Sequence, residues 1–238
     1  MKTTRSTLLL FSFLFLNALI AHAHALVIDT EDRAVPGKEQ EVKIYYSEFA
    51  DGSIEKVVDW YSNVAEFQLY LVQPNGERVK LKTTAHEDHF TAAFTPEKEG
   101  AYRLEIAHTA EDPGDGTAYQ FNAFANIWAG NSSGPLPVTK ENPELSLVEE
   151  HQSKDSGVRT FKTYFKGEPK EGITATVFMP SGKKIEVKSN SEGVITFNLE
   201  EKGAHFIEAT TYDENEAGQT EKAPYTATWR CATQKVEL

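Results

Sequence analysis

The sequence predicts an all-β protein: two tandem antiparallel β-sandwich (Ig-like) domains that follow a cleaved signal peptide. Three observations predict it. The chain repeats itself, a first copy running through residues 67–76, 90–94 and 98–105 and a second through 173–182, 194–197 and 201–208. The segments beside the repeated turns alternate apolar and polar residues with period 2, which marks a strand with one buried face. Such segments recur at roughly 8–12-residue spacing with no long helical period between them, the pattern of stacked antiparallel sheets.

Residues 1–23 read as a secretory signal: Lys2 and Arg5 give a positive start, 8–20 is an apolar run, and Ala21, His22 and Ala23 form a small-x-small cleavage site. The apolar run is short for a membrane span and no second one follows, so no membrane insertion is expected after cleavage. Cutting after Ala23 makes His24 the mature N-terminus. Two other registers fit. Cutting after Ala25 discards His24, whereas cutting after Ala21 exposes His22 with His24 in third place, which suits a square-planar Cu(II) or Ni(II) clamp.

The first sandwich is expected over 24–130, with inward rows Val42/Ile44/Tyr46, Phe90/Ala92/Phe94 and Tyr102/Leu104/Ile106. Pro74, Asn75 and Gly76 form its hairpin turn, because proline presets φ and glycine supplies φ > 0. Residues 131–144, rich in Gly, Pro and polar residues, read as a semi-stiff linker. The second sandwich is expected over 145–238, with Pro180, Ser181 and Gly182 as the matching turn. The first copy alone carries two insertions, 49–64 (Asp51, Asp59, Trp60, Tyr61) and 110–119 (Glu111, Asp112, Asp115). End loops of a sandwich are where function tends to sit, so the site is expected on the first domain.

The formal charge of −12 falls to about −14 once Lys2 and Arg5 leave, which argues against nucleic acid or an anionic membrane as partner. Cys231 is the only cysteine, so an exported chain has no internal disulfide and depends on packing. A periplasmic or secreted location follows from the signal.

His24 offers an imidazole and, after cleavage at Ala23, a free α-amine, which together chelate nickel, copper or cobalt. It shares parity with Leu26 and Ile28, and His108 shares parity with Tyr102, Leu104 and Ile106. The two are therefore expected to meet at one end of the sandwich and hold a divalent metal ion; the competing reading is a semi-buried histidine ending an apolar row. His86 and His89 form a His-x-x-His turn and are lesser metal candidates beside a solvated-turn reading. Glu48, Asp51 and Asp59 are available as oxygen ligands. His151 reads as exposed and His205 as packing.

No nucleophile elbow, His-Glu-x-x-His, phosphate loop or dinucleotide fingerprint occurs, and the chain is read as a non-enzyme. Cys231 reads as a buried structural thiol. Trp60, Tyr61 and Trp128 are either an aromatic sugar platform or core anchors, the latter favoured.

The start 24–28, the segment 40–49, the 74–76 turn, the strand ending in His108 and the tail 225–233 together resemble the bacterial periplasmic NikM-like family, described as a nickel-uptake substrate-specific component. The resemblance implies a periplasmic metal-handling protein, nickel or cobalt preferred, accompanying a membrane metal-uptake system. The second copy is similar to carboxypeptidase-regulatory-like modules, which are structural spacers. The N-terminal histidine resembles that of periplasmic copper carriers and copper polysaccharide monooxygenases, and only His24 matches them by position. The leading expectation is thus a periplasmic binding protein for a divalent transition metal. The alternative is a structural or surface interaction protein with two β-sandwich modules, and a lesser one a copper carrier or copper oxidase.

Overall fold

The computed structural model describes residues 24–49, 52–137, 143–152 and 157–238; the expected signal 1–23, Asp51 and the side chain of His151 lie outside the described residues. The first half contains β1 (Ala25–Asp29), β2 (Arg33–Ala34), β3 (Gln40–Glu48), β4 (Ser53–Ile54) and β5 (Leu69–Val72). It continues with β6 (Arg78–Lys80), β7 (Thr84–Ala85), β8 (Phe90–Phe94), β9 (Gly100–Thr109) and β10 (Thr117–Ala129). The second half contains β11 (Leu145–Gln152), β12 (Val158–Phe165), β13 (Glu168–Pro169), β14 (Thr174–Phe178) and β15 (Lys184–Lys188). It ends with β16 (Val194–Asn198), β17 (Ala204–Asp213), β18 (Gly218–Gln219), β19 (Pro224–Tyr225) and β20 (Ala227–Glu237). The described residues hold no α-helix, only two single-turn 3-10 segments, Val57–Asp59 and Val64–Glu66.

The repeat is real in three dimensions. Gln73 and Glu77 close one hairpin, with Gly76 at φ 81°, and Met179 and Lys183 close the other, with Gly182 at φ 82°. Each turn joins equivalent strands, β5 to β6 and β14 to β15. Pro74 and Pro180 also pack on equivalent glycines, Gly100 and Gly203, at the starts of β9 and β17.

The sandwich class is as expected, and the halves are joined more closely than a tandem arrangement implies. A nine-stranded sheet runs β15-β14-β17-β20-β10-β9-β5-β6, with β2 added beside β10. Its order is a palindrome of equivalent strands. At its centre residues 117–124 of β10 pair in parallel with 227–234 of β20. The sheet β1-β3-β8-β7 packs on the first half and β11-β12-β13, with β16, on the second.

Side chains alternate across a strand, so the shared sheet serves one core on each face. Phe121, Ala123 and Ile127 of β10 and Cys231 of β20 enter the first core, beside Leu26, Ile44 and Leu104. Phe124 of β10 and Ala232 of β20 enter the second, beside Leu147, Phe161 and Ile195. Each such buried Leu, Ile or Phe side chain contributes about 1.5–3 kcal/mol by leaving water. The first part of the expected linker is docked as well: Leu136 is buried against Trp128 and Ala101, and the Trp128 indole donates to the Gly134 carbonyl at 3.3 Å.

Candidate functional site

A cleft of about 650 Å³ opens where the two halves meet. Its floor is a row of rings across the shared sheet. Tyr119 on β10 is the register partner of Trp229 on β20, which is the partner of Tyr212 on β17. Register partners share a face, so the three side chains stand together, with Tyr119 and Trp229 at 5.9 Å between ring centroids. Tyr212 is 61% exposed.

The two insertions build the walls. Trp60 is buried among Tyr46, Phe67 and Phe90, and its indole donates to the Glu55 carbonyl at 3.2 Å. That core anchor holds the loop bearing Glu55 and Asp59, both of which line the cleft. Tyr61 donates to the Asp112 carbonyl at 2.6 Å and meets Tyr119 edge-on at 5.7 Å. From the second half, Lys222 bridges Glu111 and Asp112 at 2.7 and 2.9 Å, and the Thr220 hydroxyl donates to the Glu111 carbonyl. The rim is therefore tied to both halves.

His24 lies on the polar side of this cleft. Its ring stacks on Tyr46 at 5.3 Å and its Nε2 lies 2.9 Å from Glu55 Oε1. A carboxylate accepts only, so Nε2 donates to an ionised Glu55, and in the neutral imidazole Nδ1 then carries the free lone pair. Burial pushes the Tyr46 phenol above its ordinary range, which keeps it neutral beneath the imidazole.

His108 is not the partner of His24 in this arrangement. Its Nε2 lies 3.1 Å from Asn63 Oδ1, and the same oxygen accepts the Glu111 N–H at 3.0 Å. His108 therefore donates from Nε2 and fastens the end of β9 to the first insertion, while Asn63 ties that insertion to the second through the Glu111 N–H. Burial lowers its pKa, against the opposing influence of Glu66 and Glu111. His86 and His89 do come together, stacked at 4.7 Å with 13° between planes. Parallel rings send their in-plane lone pairs side by side rather than to one point. Each also has a neighbour of its own, Thr91 for His86 at 2.9 Å and Asp88 for His89 at 2.6 Å. Among the described residues no group of three or more His, Cys, Asp or Glu side chains is arranged to hold a metal ion.

The remaining candidates take structural places. His205 is fully buried with Nδ1 3.0 Å from the Gly203 carbonyl, and Trp128 is a core anchor. Burial pushes the Cys231 thiol well above its ordinary range, with Glu208 adding to the effect. The residues that sequence reasoning passed over are Glu55, Tyr119, Tyr212 and Trp229. Trp229 had one signal: it shares parity with Cys231, and so a face with whatever that face meets.

No protein-family model matches the chain, and no curated protein matches it. Among solved structures, a DUF4785 family protein from Legionella pneumophila is 12% identical over 76% of this chain and 50% of its own, with a TM-score of 0.31. A trypsin-activated alpha-2-macroglobulin from Escherichia coli is 10% identical over 91% of this chain, with a TM-score of 0.30. An ice-binding adhesin of an Antarctic bacterium is 11% identical over 90% of this chain, with a TM-score of 0.27. The chain spans half of the first of these, 16% of the second and 49% of the third. At these scores the likeness carries no functional information. No helix among the described residues is long and apolar enough to cross a membrane.

Proposed function

We propose that this chain is a non-enzymatic binding protein of the periplasm or cell exterior, two β-sandwich modules whose joined sheet presents one ligand cleft. The observation that carries this reading is the cleft itself. It is about 650 Å³ in volume, within the usual range for small-molecule sites, and mixes aromatic walls with a few convergent polar groups. A thermal-shift screen of the full chain against amines, sugars, amino acids and metal salts tests the reading. A ligand that raises Tm in the parent, and not in Tyr119→Ala, supports it. A screen in which every hit acts equally on both proteins replaces it with a purely structural role.

A second reading, that of a divalent-metal binder accessory to nickel or cobalt uptake, is favoured by the His24–Glu55 contact. A carboxylate that engages one imidazole nitrogen orients the other toward a metal, and the α-amine freed by cleavage after Ala23 would complete a chelate with Nδ1. Site chemistry alone favours Cu(II), so nickel or cobalt selection would rest on supply and geometry. Calorimetry with nickel, cobalt and copper salts on a chain beginning at His24 tests it. One added residue before His24 should weaken binding sharply, whereas His151→Ala should leave it unchanged. Equal affinity of the His24→Ala chain rules this reading out.

A further inference from the structure

We propose that the cleft binds a small organic cation whose charge is carried by a quaternary or tertiary ammonium group. The proposal rests on the reading of the cleft as a ligand site and supplies its ligand class. Three features point the same way. First, the rings of this half-open cleft are tilted against one another rather than coplanar: Tyr61 and Tyr119 meet at 80°, Tyr119 and Trp229 at 58°, and Phe121 and Trp229 at 66°. Aromatic faces are negative, and tilted rings turn several faces and edges toward one space. An alkylated ammonium is the ligand that gains most from such walls, because its methyl groups pack on the rings while its charge meets their quadrupoles.

Second, the polar groups of the cleft are acidic. Glu55 and Asp59 line it, and its one basic side chain, His24, has its Nε2 engaged with Glu55. Lys222, which reaches the second insertion, is held there by Glu111 and Asp112. An anion entering here would meet the Asp59 carboxylate beside a Glu55 already engaged with His24, whereas a cation would be complemented by both. Third, the chain as a whole carries a net charge of −12, which raises the local concentration of cations at such a cleft. A bare metal ion would use the carboxylates and leave the rings idle; a neutral sugar would stack on the rings and donate its hydroxyls to the carboxylates without answering their charge.

Isothermal titration of the full exported chain with choline and with its neutral isostere 3,3-dimethyl-1-butanol tests the proposal. The two differ in charge and hardly in shape, so choline should bind about tenfold or more tightly. Trp229→Ala should abolish binding, and Trp229→Phe should retain part of it. Because Trp229 packs on the core, two milder variants guard against a folding artefact. Tyr212→Ala removes an exposed ring and Glu55→Gln removes a charge, and each should weaken choline several-fold without lowering Tm. Equal affinity for choline and the isostere overturns the cation proposal and leaves the cleft reading standing. Failure of choline and tetramethylammonium to bind at millimolar concentration also overturns it, as does preferential binding of a neutral oligosaccharide. Choline binding that ignores both Tyr212→Ala and Glu55→Gln places the site elsewhere and overturns it too.

Discussion

Tyr119 and Trp229 stand directly opposite each other on the parallel strands β10 and β20, although they come from opposite halves of the chain. A parallel pair needs a long crossover, and here the crossover is nearly the whole second sandwich. The pairing joins the two halves into one sheet and sets Tyr119 and Trp229 side by side in the lining of the cleft. Four predictions follow from this arrangement and its surroundings.

The halves should unfold together. Phe161 is fully buried in the second core and stacks on Phe197 at 5.8 Å, so Phe161→Ala should cost about 3–5 kcal/mol. Fluorescence of Trp60 reports on the first core and that of Trp128 and Trp229 on the two central strands of the shared sheet. All should move in one transition at lower denaturant than in the parent. Two separated transitions would show that β10–β20 pairing does not couple the cores.

Glu208 should make the protein less stable in mild alkali. Burial, and then the nearby Glu48, raise its carboxyl to about 7. A folded value above the unfolded one of about 4.3 means that its stabilising contribution is complete below about pH 4 and is lost as pH rises through about 7. Glu208→Gln should therefore raise stability at pH 8 by roughly 1–3 kcal/mol and have little effect at pH 4. Parallel pH profiles of Tm for the two proteins would contradict this.

Glu216 should act in the opposite direction at acid pH. The Arg230 guanidinium, and beyond it Lys166, hold its carboxyl down at about 2, against a smaller upward influence of burial. Its folded value lies below the unfolded one, so its contribution is present above about pH 4.3 and lost as pH falls toward 2. Urea titrations at pH 3 and pH 6 should show a smaller difference for Glu216→Gln than for the parent.

Equivalent glycines should not be equally tolerant. At Gly100, φ is 154° and an added Cβ would lie 2.5 Å from Pro74 Cγ; at Gly203, φ is 117° and the nearest Pro180 atom would be 3.4 Å away. Both alanine substitutions strain the backbone by about 1–3 kcal/mol, and Gly100→Ala adds a clash with the turn of its own hairpin. Thermal melts should rank Gly100→Ala below Gly203→Ala, and the reverse order would contradict the hairpin packing.

The sequence by itself determined the local structure. Proline followed two residues later by glycine specifies a turn through φ restrictions, and alternation specifies a buried face, so the hairpins at 74–76 and 180–182 and the all-β class were legible. So were the core places of His205, from its equivalence to Tyr102 in the repeat, and of Cys231, from the run on the last strand that reads as core. The expected meeting of His24 and His108 was a parity argument, and parity gives a face without giving a neighbour. Only the tertiary structure decided that Glu55 sits beside His24, that Asn63 holds His108, and that Tyr119, Trp229 and Tyr212 form one row. Those relationships depend on which strands pair. Strand pairing is made by backbone N–H and C=O groups that every residue carries, so it leaves no signature in the side chains that a sequence displays.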